Sequence, residues 1–501
     1  MNITNKIVTL DAIRFNVTKD VAVCYGHFNL IHPGHLRYLR HAKTLANKLI
    51  VAIVSDKDLG KNTKEHYFHE KERAESIANI ECVDNVVILN NNSLNELISS
   101  IKPNFLVLGR EFESRKTKDI QLAINTVNKQ GRVVFHAGET HYATTQLLRD
   151  NVSHIDHNNI VKFKNICESN KITCDTLHGK ISNFSNTKLL VIGDTIVDNY
   201  VACDPVGISA EAPVLVVKEL ENREFIGGAA IVASHVRALG AKCHYISAVG
   251  DDSISNSVKE VLTNRDIDTN LIVDTSRPTT YKTRYMVDSQ KLFRVSRIKD
   301  HKISNKIEIE IIKKLNELAP DIDGILVSDF LYGVITPNIL TEISHLAKKF
   351  NFKLFGDLQC SSQFGKITKF NKFDLITPTE KEARIALDDN ENGIEWVANK
   401  LLENTSSKNL LMKLGPDGFI AYSGINSGKR QNFPPLTANP VDVTGAGDSL
   451  FAAMSVSLSS GANLLEASAI GTCMAYLAVK RIGNIPITKE QLENSIIEML
   501  S

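Results

Sequence analysis

The stretch Asn439-Pro-Val-Asp-Val-Thr-Gly-Ala-Gly-Asp-Ser449 limits what the larger half of this 501-residue chain can fold into. A short strand signal ends near Val443. Gly445, Ala446 and Gly447 follow, then Asp448, then the apolar run from Leu450 to Met454. That order predicts a tight turn feeding a helix. Small residues there let backbone N–H groups converge on an anion, and the positive end of the helix adds to the attraction. Asp448 falls in the first turn, beside that anion hole. Phosphoryl transfer needs donors for developing charge and a carboxylate to take the acceptor hydroxyl's proton. A helix-capping acid needs only the turn, so the turn alone leaves both readings open.

A second strand–turn–helix lies near the start. Val21 to Tyr25 is a short apolar strand, Gly26-His-Phe-Asn-Leu-Ile-His-Pro-Gly-His35 follows, Leu36 to Leu45 has helical periodicity, and Leu49 to Ser55 reads as the next strand. This is how a doubly wound α/β domain opens, and such domains bind ligands at the carboxyl ends of their strands. His32 and His35 flank Pro33-Gly34 and share one face of a first turn. There they can stabilise charge on an α-phosphate and a leaving pyrophosphate, as nucleotidyl transfer requires. Two histidines also make half a metal site, although no third ligand has a matching spacing.

Length suits two or three domains. Lys plus Arg number 58 against 57 Asp plus Glu, which gives no electrostatic case for nucleic acid. Eight scattered cysteines without a close pair read as thiols of a reducing compartment. The N-terminus lacks the apolar core of a signal peptide, and no apolar run approaches the ~20 residues of a membrane span. The expectation is a soluble cytoplasmic protein. Residues 151–186 are rich in Asn, His, Lys and Ser and are expected to be a polar linker with surface helices, between domains at 1–150 and 187–501.

From about Lys188 onward the chain resembles the ribokinase-like (PfkB) sugar kinases, in particular the kinase domain of the bifunctional heptose-phosphate kinase/adenylyltransferase family. The resemblance is carried by Val191-Ile-Gly-Asp-Thr-Ile-Val-Asp-Asn-Tyr200, Ser209-Ala-Glu-Ala-Pro-Val214, Gly227-Gly-Ala-Ala230 and Gly-Ala-Gly-Asp448. It implies Asp448 as base, Gly445, Ala446 and Gly447 as anion turn, and Asp194 and Asp198 as holders of sugar hydroxyls. Gly227 and Gly228 would admit the sugar closely, and Gly415 and Gly418 would flank the nucleotide. Lys282, Arg284 and Arg294, with Arg297, would face a phosphorylated sugar, and solvated strand charges are the alternative. Short strands near 213–217 and 281–287 would form a lid that pairs with a second subunit. Glu382 is the candidate for the Mg²⁺ network. Ile231 and Thr379 stand where the family has Asn.

Residues 21 to 148 resemble the cytidylyltransferase-like family, on the segment from Tyr25 to His35 and five further motifs in family order. The resemblance implies catalytic His32 and His35, and nucleotide contacts from Gly26, Phe28, Lys61, Lys64, Arg73, Arg110, Thr144 and Thr145. The two lysines read equally as solvated charges, and the threonines equally as helix caps. His27 stands where Thr or Val is common and Asn29 where Asp is common. The approach Ala137 to Tyr142 lacks the arginine of the cytidylyl branch, which favours ATP over CTP. The expectation is α/β throughout: a Rossmann-like transferase domain, then a ribokinase-like α/β/α domain with a small β lid. Its work would be ATP- and Mg²⁺-dependent phosphorylation of a sugar phosphate such as a heptose 7-phosphate, then nucleotidyl transfer to the 1-phosphate. A separate phosphatase would act between the steps. The alternatives keep both chemistries with another sugar or with CTP. The order of the halves is the reverse of that in the heptose family.

Overall fold

The computed structural model describes residues 6–15, 20–29, 31, 33–58, 68–89, 94–109, 112, 117–135, 152–209, 211, 214–287, 290–360, 365–424 and 429–500. They fall into two compact units, residues 1–151 with 388–398, and residues 152–387 with 399–501.

In the first unit, β1 (Val21–Gly26), β2 (Lys48–Val54), β3 (Asn85–Leu89), β4 (Phe105–Leu108) and β5 (Arg132–Phe135) form a wholly parallel sheet in the order β3-β2-β1-β4-β5. Its helices among the described residues include α1 (Leu10–Phe15), α2 (Pro33–Leu45), α3 (Glu70–Ala78), α4 (Leu94–Ile101) and α5 (Lys118–Val127). Strands covered on both faces read as unbroken apolar runs, which is why β1 and β2 carry no alternation. Neighbouring residues feed opposite cores: Val23 and Ile50 pack with Leu97 and Ile120, whereas Ala22 and Val51 pack with Leu39 and Ile77. Strand order reverses between β1 and β4, so the loop from β1 to α2 opens at the switch point where such sheets bind ligands.

From residue 152 the chain runs α6 (Val152–Ser169), α7 (Cys174–Ser182), β6 (Lys188–Gly193), β7 (Thr195–Ile208), β8 (Leu215–Gly228), α8 (Ala229–Ala238), β9 (Lys242–Val249), α9 (Ser253–Asn264), β10 (Asp268–Val273), β11 (Thr280–Val287), β12 (Gln290–Arg297), α10 (Asn305–Leu318), β13 (Gly324–Asp329), α11 (Pro337–Phe350), β14 (Lys353–Leu358), β15 (Leu375–Ile376), α12 (Glu380–Leu387), α13 (Ile394–Thr405), β16 (Asn409–Lys413), β17 (Phe419–Ser423), β18 (Lys429–Phe433), α14 (Ala446–Ser459), α15 (Leu464–Val479) and α16 (Lys489–Leu500). Nine strands form one sheet in the order β10-β9-β6-β13-β14-β15-β16-β17-β18, in which β17 alone runs antiparallel to the others. A separate four-stranded sheet has the order β12-β11-β7-β8. Helices α14 and α15 are apolar around their circumference, as buried helices are, and lie in the main core.

The stretch 151–186, expected to be a polar linker with surface helices, is over its described residues 152–186 part of the second unit. Phe163, Cys167, Leu177, Ile181 and Phe184 are buried in the core of the second unit. The polar majority on α6 and α7 faces outward and hides a narrow apolar stripe, so mean composition misleads there.

Candidate active sites in the two units

Gly445 is the N-cap of α14 and sits in the left-handed region (φ 79°), where a Cβ would come within 2.1 Å of Asn484 Oδ1. Only glycine fits. Ala446, Gly447 and Asp448 make the first helical turn. Asp448 is buried, and its Oδ1 accepts a 2.6 Å hydrogen bond from Gln359 Nε2. The same nitrogen donates to Asp357 Oδ2 at 3.1 Å, while Asp357 Oδ1 accepts from Lys413 Nζ at 2.7 Å and from the Thr377 hydroxyl at 2.5 Å. Asp448 Oδ2 accepts nothing from the described residues. Burial and the charge of Asp357 push Asp448 up to about 7, against the opposing pull of Lys413 and Gln359. A carboxyl so poised exchanges protons near neutral pH.

Asp198 lies within β7, which continues almost directly from β6 rather than giving way to a loop. Its Oδ1 pairs with Arg284 NH1, and Asn484 Nδ2 donates to its Oδ2 at 3.4 Å. A Cβ on Gly227 would fall 2.6 Å from Asp198 Oδ2, so this glycine exists for close approach. Gly228 (φ 63°) caps α8. Lys282, register partner of Asp198, is buried with its ammonium 5.1 Å from the Tyr332 ring centre and 5.8 Å from that of Phe330. It has no ion pair among the described residues. Arg294, opposite Arg284 on β12, is exposed.

Asp194 corrects an expectation. Its Oδ2 accepts the N–H groups of Phe330 and Tyr332 at 2.9 and 3.2 Å, and its Oδ1 accepts that of Val334 at 3.3 Å. This acid ties down the loop after β13, both of its oxygens accepting from that loop's backbone. Glu382 behaves similarly. Its two oxygens accept the N–H groups of Cys360 and Thr379, and Thr379 Oγ1 accepts from Glu382 N at 3.2 Å, a reciprocal cap of α12. Gly415 and Gly418, both left-handed, shape the turn between β16 and β17, where a Cβ on Gly418 would lie 2.2 Å from Phe433 O. Asp357, Gln359, Lys413 and Asn484 escaped the reading of the sequence. The available signal was Lys413 closing the apolar Leu410-Leu-Met412 immediately before Leu414 and Gly415.

In the first unit Gly26 ends β1, and Phe28 is buried against His35, ring centres 5.2 Å apart. His35 is in the first turn of α2. His32, Lys61, Lys64, Arg110, Thr144 and Thr145 lie outside the described residues. Arg73, expected to meet the nucleotide, is buried and committed to the fold. Its guanidinium donates to the carbonyls of Phe68, His27 and Val54 at 2.9, 2.6 and 2.9 Å and to Asp56 Oδ1 at 2.8 Å. Asn29 Oδ1 accepts from Phe68 N at 2.7 Å, so the uncharged residue at this position braces the approach to α3.

The family model of pfkB family carbohydrate kinases matches residues 186–491, and that described as cytidylyltransferase-like matches residues 23–200. Among curated proteins, the bifunctional protein HldE of Campylobacter jejuni subsp. doylei is 30% identical over 312 residues, covering 61% of this chain and 64% of that protein. HldE of Helicobacter hepaticus is 32% identical over 312 residues, covering 61% and 63%. The matches thus span less than two thirds of these relatives' length. Among solved structures, ribokinase from Thermotoga maritima aligns with a TM-score of 0.50 at 25% identity over 62% of this chain and 99% of its own. Phosphofructokinase-2 from Escherichia coli aligns at 0.53 and 14% identity over 63% and 100%, a likeness of fold.

Proposed function

Because the chain belongs to the pfkB family of carbohydrate kinases, we propose that its second unit phosphorylates a sugar phosphate at the anomeric hydroxyl with ATP, and that its first unit transfers a nucleotide to the resulting 1-phosphate. The observation that carries the kinase reading is Asp448, a buried carboxyl with one oxygen held by Gln359 and the other unpartnered among the described residues, in the first turn of α14. The sugar's hydroxyl gives its proton to Asp448 as its oxygen attacks the terminal phosphorus, and ADP leaves. N–H groups at the start of α14 receive the charge that develops on the transferring group. Asp198 and Arg284 hold the sugar, and Lys282, without an ion pair among the described residues, meets its phosphate. The donor set of the α14 turn fits the phosphates of ATP. Magnesium would arrive with the phosphates of ATP, since Mg²⁺ is bound through one or two carboxylates and substrate phosphates rather than by a dedicated protein cage. The β7–β8–β11–β12 sheet exposes Leu215, Leu220, Phe293 and Val295, which supports pairing with a second copy through the lid.

For the first unit, the switch point between β1 and β4 and the position of His35 support nucleotidyl transfer with release of pyrophosphate, ATP being favoured over CTP. The sugar of this proposal is a heptose 7-phosphate, with a separate phosphatase acting between the two steps, as the motif resemblance of the second unit to the heptose-phosphate kinases implies. The test is a matrix of candidate sugar phosphates with ATP and CTP, following sugar phosphorylation and pyrophosphate release in wild type and His35→Ala. Loss of one donor that acts in the transition state costs roughly 3–4 kcal/mol, so pyrophosphate release should slow by about 10²–10³-fold. Kinase activity should not change. Unchanged pyrophosphate release with the best pair would overturn the transferase assignment.

A further inference from the structure

We propose that Lys413 and Gln359 are positioning residues for Asp448, acting together through Asp357 to fix which oxygen of the base faces the acceptor hydroxyl; the inference rests on the kinase reading above. Gln359 Nε2 carries two hydrogens and has two carboxylate acceptors, Asp448 Oδ1 at 2.6 Å and Asp357 Oδ2 at 3.1 Å. Turning the amide over would set its oxygen against both acids, so the orientation is fixed by chemistry. Asp448 therefore cannot swing toward Asp357, and Oδ2 remains for substrate.

Lys413 makes that arrangement tolerable. Two acids joined by one amide repel when both are ionised. The ammonium on Asp357 Oδ1 at 2.7 Å neutralises one of them, leaving Asp448 as the acid that exchanges its proton. The lysine is placed for this from both ends. Its backbone N–H donates to Pro378 O at 2.8 Å, and its Nζ is 3.6 Å from where a Cβ on Gly447 would stand, beneath the first turn of α14. Among the described residues, the charged groups that act on Asp448 are Asp357 on β14, Lys413 on β16 and Asp198 on β7, the last already paired with Arg284. Glu382 on α12 adds its field at Lys413.

Lys413→Met should let Asp448 hold its proton to higher pH. The carboxyl of Asp448 can be followed by NMR in protein carrying ¹³C-labelled aspartate, with Asp448→Asn assigning its signal, alongside the pH profile of kcat/KM for the kinase. The midpoint should rise by about one unit in Lys413→Met, with kcat at pH 7 falling about fivefold and the KM for ATP changing less than about threefold. Lys413→Arg should return the midpoint toward that of wild type. Gln359→Met, which removes no charge, should raise it in the same direction and carries the test if Lys413→Met does not fold. A midpoint unmoved in these variants would overturn the proposal, whatever happened to kcat, and mark the pair as structural. Should wild type phosphorylate no sugar while the midpoint still moved, the kinase reading would fall and the coupling would stand.

Discussion

Arg73 in the first unit and Asp448 in the second are both buried, both ionisable, and both the expected ligand-facing group of a family motif. Their surroundings differ. Arg73 donates to three backbone carbonyls and Asp56, which stitches the chain before α3 to the ends of β1 and β2. Asp448 has one oxygen held and one left over among the described residues. A buried charge whose polar atoms are met by the fold belongs to the fold, because removing it strands its partners. A buried charge left with a vacant lone pair costs the fold something and is kept for a ligand. Asp194 and Asp198, four residues apart, differ instead in what takes them up: backbone N–H groups of one loop for the first, and the side chains of Arg284 and Asn484 at the mouth of a glycine pair for the second.

The largest effect that could break the comparison is on chemistry. Asp448→Asn keeps the shape and the Gln359 bond but cannot accept a proton. Sugar phosphorylation should fall by at least about 10²–10⁴-fold, the usual range for loss of a general base. ATP affinity and pyrophosphate release by the first unit should stay close to wild type. Near-normal kinase turnover in purified Asp448→Asn would place the base elsewhere.

On the other side of the comparison, Arg73→Met should act on stability. Three carbonyls and Asp56 lose their donor, and a cost of about 2–4 kcal/mol is expected for a buried network cut at one member. Chemical denaturation should show it in the first unit, while the protein that remains folded keeps its affinity for nucleoside triphosphate. Full stability with lost triphosphate affinity would make Arg73 a phosphate ligand after all.

Much of the architecture was legible because strands buried on both faces and glycine-to-helix turns are local signals: β1, α2 and β2 occupy the stretches expected of them, and α14 follows the glycine turn that ends at Asp448. What was not legible depends on distance along the chain. Gln359 stands 89 residues from Asp448, and Lys413 stands 56 from Asp357, so no spacing rule connects them. Asp194 looked like a ligand because the N–H groups that claim it come from 136 to 140 residues downstream. The apolar stripe of α6 and α7 was diluted by Asn, His and Lys until its mean resembled a linker's.

The smallest effect is also the one that sets the two regions in opposite senses, through the pH dependence of stability. Asp448 is raised from an ordinary carboxyl's 3.8 to about 7, first by burial and then by Asp357. As pH climbs between those values the unfolded chain releases its proton and the folded chain keeps it, so the stability present below about 4 is progressively lost up to about 7. Asp448→Asn cannot suffer that loss. Its advantage over wild type in unfolding midpoint should be slight at pH 5 and larger at pH 8, bounded by about 4 kcal/mol at ~1.4 kcal/mol per unit and smaller if Asp357 and Lys413 readjust. Asp56 runs the other way. Burial pushes its carboxyl up, but Arg73, the Glu70 N–H and His69 together pull it below the usual range. The stability it contributes is therefore present above its unfolded value and fades in acid. Thermal melts of wild type and Asp448→Asn across pH 4 to 8, and of wild type and Asp56→Asn from pH 6 down to about 2, measure the two slopes. The gap for Asp448→Asn should widen with rising pH, and the deficit for Asp56→Asn should narrow as pH falls. If the Asp448→Asn gap stayed flat across that span, the carboxyl would already be ionised in the folded protein well below neutral pH, and the poise that makes it a base near pH 7 would be absent.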